Sequence, residues 1–190
     1  MATNQQHIYP WWLGYLLLNP LRKFIHNPDK ILKSFIKPGM KVLDYGSAMG
    51  YFSLPLARMT GNDGKVYCFD IQENMLDSLK RRADKAGLRY IIEPRLISNN
   101  TDISDLSGKI DFALLFAMVH EVPDKKDLFK NLNLLLKTGG IVLFAEPRGH
   151  VSKTAFENSL DLALSQGFEE VKKIEVNGSH AVVLKTVLKK

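Results

Sequence analysis

Three carboxylates and one histidine stand at the ends of apolar runs, where side chains can do chemistry. Asp44 closes the run in "KVLDYGSAMGYFSLPLA", just before a turn of small residues, Gly46, Ser47, Ala48 and Gly50. Such strand–turn–helix junctions usually hold phosphate on the helix N-terminus. A carboxylate at the mouth would repel a pyrophosphate and would suit an ammonium or a sulfonium. Asp70 ends "KVYCFD", about 20 residues beyond the turn, where an acid can accept two hydrogen bonds from a ribose diol. The dinucleotide fingerprint needs a third small residue where Tyr51 stands, and no Gly-Lys-Ser/Thr follows. The pattern therefore fits a cationic, phosphate-free nucleoside, a description that S-adenosylmethionine (SAM) meets, better than NAD or ATP. His120 and Glu121 follow the apolar run "IDFALLFAM", and a histidine there can accept a proton near neutral pH.

These residues need elements to hold them. "KVLDYG", "KVYCFD", "IDFALLFAM" and "GIVLFAEP" read as buried strands, and "RYIIEPRLI" as a strand whose Pro94 implies an edge or a kink. Helices are expected over "YFSLPLARMTG", with Pro55 early in the helix, over "QENMLDSLKRRADKAG", with Met75, Leu76, Leu79 and Ala83 at helical spacing, and over "KTAFENSLDLALSQG". A further helix is expected over "DKKDLFKNLNLLLKTGG", opened by an Asp cap and closed by its two glycines. The end differs: two alternating runs joined through Asn177-Gly178 read as an antiparallel hairpin. The fold class is α/β, a doubly wound, mainly parallel sheet with an antiparallel C-terminal hairpin. Residues 1–38 are aromatic-rich and helical in pattern, a cap or extension to a domain over 39–190.

Composition narrows the setting. Lys and Arg number 26 against 20 Asp and Glu, a net charge of +6, but the basic residues are scattered, so nucleic acid is not the expected partner. The single cysteine, Cys68, excludes a disulfide framework and fits a reducing, cytoplasmic setting. The apolar stretch "IYPWWLGYLLLNP" is too short to span a bilayer, which takes roughly 20 residues, and it reads as neither span nor signal peptide.

In order and spacing, "VLDYGSAMG", "VYCFDIQENML", "DISDL", "IDFALLFAMVHEVPD" and "LLKTGGIVLFAEP" resemble the motifs of the class I SAM-dependent methyltransferases, in particular the small-molecule "type 11" branch. The resemblance runs from Lys37 to Pro147 by motif and to the end by the hairpin. It implies a Rossmann-like, seven-stranded sheet with SAM as cofactor and S-adenosylhomocysteine as product. It also implies roles. Asp44 would attract the methionyl ammonium. Gly46, Ser47, Ala48 and Gly50 would form the cradle, and Asp70 and Ile71 would take the ribose and the adenine face. Asp102 and Ile103 would meet the adenine edge, and the backbone of Phe116 and Ala117 would pass near the donor. His120 and Glu121 are the catalytic candidates, against the alternative of loop-orienting groups. Glu146, Arg148 and His150, at the same sheet edge, would line the acceptor pocket. No metal site is expected.

Ala48 departs from the family's usual glycine; if its φ is positive, it costs about 1 kcal/mol. Tyr9, Trp11, Trp12 and Tyr15 would form a lid over a small apolar or aromatic acceptor. The alternative is an amphipathic helix docked on the core or on a second copy of the chain, making a homodimer. RNA or protein methylation is a competing reading. The Asn/Asp-Pro-Pro-Tyr segment of amino-group methylases is absent, with "FAMVHE" in its place. A non-catalytic SAM-binding protein is a third reading.

Overall fold

The computed structural model describes residues 25–98 and 101–187. The lid aromatics Tyr9, Trp11, Trp12 and Tyr15 lie outside the described residues. Helix α1 (Pro28–Leu32) precedes β1 (Lys41–Tyr45), α2 (Ser53–Thr60), β2 (Lys65–Asp70), α3 (Glu73–Lys85) and β3 (Ile92–Leu96). Then follow β4 (Ile110–Phe116), α4 (Lys125–Leu135), β5 (Leu136–Pro147), α5 (Lys153–Ser165), β6 (Phe168–Lys173) and β7 (Ser179–Thr186).

The seven strands run in the order β3-β2-β1-β4-β5-β7-β6. Strands β1 to β5 are parallel; β7 is antiparallel to both β5 and β6. The order reverses at β1, so a crevice opens at the carboxyl ends of β1 and β4. The two hydrophobic cores follow from the period-2 alternation of the strands. On β4, Phe112, Leu114 and Phe116 pack with α1, α2 and α3, while Ala113 and Leu115 pack on the side of α4 and α5. Ile110 packs on that second side, at the point where the register shifts between Ile110 and Phe112. Cys68 is fully buried, and burial pushes its thiol up, so it is an inert core residue.

Local sequence explains most boundaries. Asn27 caps α1 by accepting from the backbone N–H of Asp29 and Lys30, and Pro28 fills the first turn. Leu32 and Ile36 are buried in the same core as Val42, so this segment contributes directly to the sheet domain. Pro55 sits in the first turn of α2, where an N–H has no intrahelical acceptor to lose. Asp124 caps α4 by accepting from Asp127 N–H. Strand β3, with Pro94, lies at the sheet edge as expected. The Asn177-Gly178 turn is closed by a Val176–Ser179 bridge, with Gly178 at φ 68°.

One expected boundary is wrong. Helix α4 does not run to Gly139-Gly140; it ends at Leu135 and the chain passes straight into β5. Leu136 pairs with Ile110, and Ile141 with Phe112. The residues between bulge outward, with Gly139 at φ 74°. Thr186 Oγ1 donates to the Lys137 carbonyl and accepts from Gly140 N–H. The glycines serve a bulge within the sheet, because ladder pairing on two sides outweighs one more helical turn.

Candidate functional site

The cradle is held from β2. Gly46 N–H and Ser47 N–H both donate to the Phe69 carbonyl, at 2.9 and 3.0 Å. Ala48 N–H donates to Asp70 Oδ2 at 2.8 Å, and Asp70 Oδ1 accepts from Gln72 N–H at 2.9 Å. Asp70 thus ties the cradle to the loop that opens α3. Burial pushes its carboxyl up, opposed by the N–H groups of Gln72, Ala48 and Ile71. A carboxylate has about four lone-pair positions, so it can accept further bonds from a diol. Asp44 is buried at the end of β1 and accepts from Ser53 Oγ at 2.5 Å. This hydroxyl binds the aspartate to the first turn of α2.

The cradle glycines also meet packing and backbone demands of their own. A Cβ on Gly46 would stand 2.9 Å from Met118 Cβ, and one on Gly50 would stand 2.3 Å from Leu79 Cδ1 and 2.8 Å from Leu54 Cδ1. Both have positive φ, 76° and 82°. At Gly46 the Met118 Cβ leaves no room for a side chain, and at both positions the left-handed backbone favours glycine. Arg82, from α3, donates to the Met49 carbonyl and braces the same turn.

Ala48 has φ 46° and Ala117 has φ 57°, both left-handed without being glycine. Each stores about 1–2 kcal/mol. Ala48→Gly should therefore raise stability by about 1 kcal/mol less the entropy glycine costs in the unfolded chain, or roughly 2–4 °C in Tm at most for a chain of this size. Scanning calorimetry checks this; a Tm lowered by about 2 °C or more, the bare entropy cost of a glycine, would show that the loop bears no strain at Ala48.

The second cluster lies past β4 and β5. Ala117 turns the chain sharply, its N–H donating to the Ala145 carbonyl at 2.8 Å. A 3-10 turn, Val119–Glu121, follows. Glu146, at 1 % exposure, lies beneath this turn. Its Oε1 accepts from Val119 N–H at 2.7 Å and His120 N–H at 3.3 Å, and its Oε2 lies 2.5 Å from His120 Nδ1. The hydrogen bond to Glu146 raises the pKa of His120 above its ordinary value; desolvation opposes this. Since a carboxylate only accepts, Nδ1 carries the proton, and neutral His120 keeps a lone pair on Nε2. Glu121 Oε1 is 3.8 Å from Nε2. Partial burial pushes Glu121 up, with His120 opposing and Glu146 and Asp70 adding to the shift. The His150 ring lies parallel to His120, centroids 6.4 Å apart.

The adenine-side candidates are less concentrated. Ile71 is 51 % exposed beside Asp70, an apolar surface at the crevice. Ile103 is partly buried against the α4–α5 core. Asp102 accepts from Ser104 N–H at 2.9 Å, just ahead of a 3-10 turn; the Ser104 hydrogen bonds hold its carboxyl below the usual range. Arg95 forks onto Asp105 at 2.7 and 2.8 Å and fixes the base of that turn. Phe116 is buried, packed on Phe52 with centroids 4.5 Å apart. Arg148 N–H donates to the Gly178 carbonyl. Among the described residues no group of His, Cys, Asp and Glu could hold a metal ion.

Glu146 carried only one sequence signal, a carboxylate ending an otherwise apolar strand.

One atom tests whether the cradle fits a ligand. Ser47 Oγ is buried and has no hydrogen-bond partner among the described residues. A buried unpaired hydroxyl costs about 1–3 kcal/mol, which a polar ligand atom at the cradle would relieve. Together with Asp44, Asp70 and exposed Ile71, it matches the amino, ribose and adenine groups of SAM.

Fold and cradle together define a Rossmann-like nucleoside-binding domain suited to a cation. The model of the methyltransferase domain matches residues 36–181, and the chain belongs to that family, the SAM-dependent methyltransferases. A demethylmenaquinone methyltransferase of Bacillus mycoides (strain KBAB4) is 30% identical over 112 residues, 58% of this chain and 46% of the relative. The match thus spans less than half the length of that curated relative. Among solved structures, a SAM-dependent methyltransferase from Aquifex aeolicus superposes with a TM-score of 0.83 at 24% identity, covering 95% of this chain and 100% of the other. A protein of the same description from Methanococcus maripaludis gives 0.80 at 16% identity, covering 100% and 99%. No described helix is long and apolar enough to cross a membrane.

Proposed function

We propose that this chain transfers a methyl group from SAM to a small apolar or aromatic acceptor, with His120 Nε2 receiving the acceptor's proton. The observation that carries the reading is the Glu146–His120 pair at 2.5 Å, held by two backbone N–H groups beside the cradle. Bound SAM supplies an electrophilic methyl on a sulfonium that is already a good leaving group. The chain's task is therefore orientation and proton removal. Asp44 and Ser47 bind the methionyl end, Asp70 the ribose, and Ile71, Asp102 and Ile103 the adenine side. Gly46, Ala48 and Gly50 shape the cradle. Phe116 and Ala117 set the loop that carries His120 over it. Glu146 fixes the tautomer of His120, and Glu121 flanks its outer nitrogen.

The acceptor named for the Bacillus relatives, demethylmenaquinone, makes a small molecule the first class to try. The test is transfer of labelled methyl from SAM to a panel of demethylmenaquinone, phenols, catechols and thiols, with RNA and protein in parallel. Labelled small-molecule product and S-adenosylhomocysteine are expected. Label in RNA or protein alone overturns the acceptor class, and SAM binding without any transfer overturns catalysis.

A further inference from the structure

The geometry points to Glu121 as a specificity-determining residue that, beside His120, reads a second hydroxyl on the acceptor and selects catechol-type diols over lone phenols. This deepens the acceptor reading above and rests on it. Glu146 Oε2 takes the proton of His120 Nδ1, so the Nε2 lone pair is the outward acceptor of the ring. Glu121 Oε1 stands 3.8 Å from that nitrogen. The separation is too long for a hydrogen bond between the two. Among the described residues, no donor stands within hydrogen-bond reach of the Glu121 carboxylate. Nor do three ligating side chains gather there, among the described residues, to hold a metal ion. Asp70, which ties the cradle, feels the Glu121 charge, so this carboxylate belongs to the cradle side of the loop. The Glu121 side chain is 42 % exposed and that of His120 26 %, so both acceptors are open to a molecule that enters from solvent.

Two acceptors side by side call for two donors side by side. Hydroxyls on neighbouring ring carbons can each make a bond of about 2.7 Å, one to Nε2 and one to Oε1. The bond to the carboxylate is charge-assisted and the stronger of the two. Hydroxyls on opposite carbons of a ring stand too far apart to serve both, and a lone phenol leaves one acceptor unmet. In the reaction, the hydroxyl on His120 gives its proton to Nε2 as its oxygen attacks the methyl carbon. The O–C bond forms, the C–S bond breaks, and the electron pair of that bond stays on the sulfur of S-adenosylhomocysteine. The second hydroxyl keeps both its proton and its bond to Glu121. The product is a monomethyl ether with one donor left. It holds the pair of acceptors less well than the diol does, so it leaves before a second transfer.

The experiment titrates catechol, hydroquinone and phenol by calorimetry into the full chain with S-adenosylhomocysteine present, at a pH where His120 is neutral. The wild type should bind catechol about tenfold more tightly than either control. Glu121→Ala should weaken catechol about tenfold and phenol by less than about twofold. Glu121→Gln keeps an oxygen acceptor without the charge and should weaken catechol about threefold. Tm and affinity for S-adenosylhomocysteine should stay near those of the wild type in both variants. Equal affinity of the wild type for the three probes overturns the inference, as does its failure to bind catechol. A catechol preference undiminished in Glu121→Ala does so as well. Where Glu121→Ala does not fold, the full native preference in Glu121→Gln has the same force. Methyl transfer is scored separately, and turnover of catechol should stop at the monomethyl ether. Transfer to phenols without a Glu121-dependent catechol preference removes the diol reading and keeps the enzyme reading; a Glu121-dependent preference without transfer to any acceptor does the reverse.

Discussion

Glu146→Gln will lower kcat/KM by about 10²-fold and shift the acid limb of the pH profile downward. The reason is the two-sided use of this carboxylate. One oxygen takes the N–H groups of Val119 and His120, and the other faces Nδ1. A glutamine has one oxygen and one NH2. If the oxygen faces the backbone, the NH2 faces Nδ1, which must then give up its proton. The proton moves to Nε2, and the base is lost. If the NH2 faces the backbone, it meets two N–H donors. Either arrangement fails.

The pH dependence has a definite sign. Glu146 raises the His120 pKa above its ordinary 6.5, and a base works only when neutral. Wild-type activity should therefore rise with pH through a value above 6.5, and the variant's residual activity should rise through a lower one. Rate profiles at saturating SAM measure both. An unchanged limb with an unchanged rate would mean that the His120–Glu146 pair only orders the loop.

The other large effect is expected at Asp70. Asp70→Asn should weaken SAM about 100-fold, near 2.7 kcal/mol, as measured by titration calorimetry. In the native chain, two backbone N–H groups from two loops each meet one carboxylate oxygen. An asparagine can serve only one of them and turns an NH2 on the other. The cradle loses its tie at Ala48 or the α3 loop loses its tie at Gln72, and the charged acceptor proposed for the ribose is lost in both cases. Burial already pushes the Asp70 carboxyl above its ordinary value. Wild-type affinity should therefore begin to fall at a higher pH, on acidification, than for an exposed aspartate. If Asp70→Asn binds SAM as tightly as the native chain, the ribose assignment is wrong.

Particular residues show how far local pattern reaches. The runs "KVLDYG" and "IDFALLFAM" are apolar on consecutive positions because both faces of a central parallel strand are covered, and they formed β1 and β4. Pro94 signalled an edge because a proline has no N–H to give to a second neighbour. Gly139-Gly140 misled, since a double glycine suits a helix stop and a sheet bulge equally well. Only the pairing of Leu136 with Ile110 distinguishes them.

What the sequence determined by itself was whatever short-range periodicity and turn chemistry encode: the alternation of strands and helices, the terminal hairpin, and the acids Asp44 and Asp70 placed at strand ends. What only the tertiary structure decided was which of those ends meet. His120 finds Glu146 across 26 positions, and His26 reaches Asn177 across 151. Gly46 has Met118, from the loop after β4, standing where a side chain would go. These contacts depend on strand order and on the close packing of layers. Both are set by the burial of whole faces, and no local stretch of chain contains them.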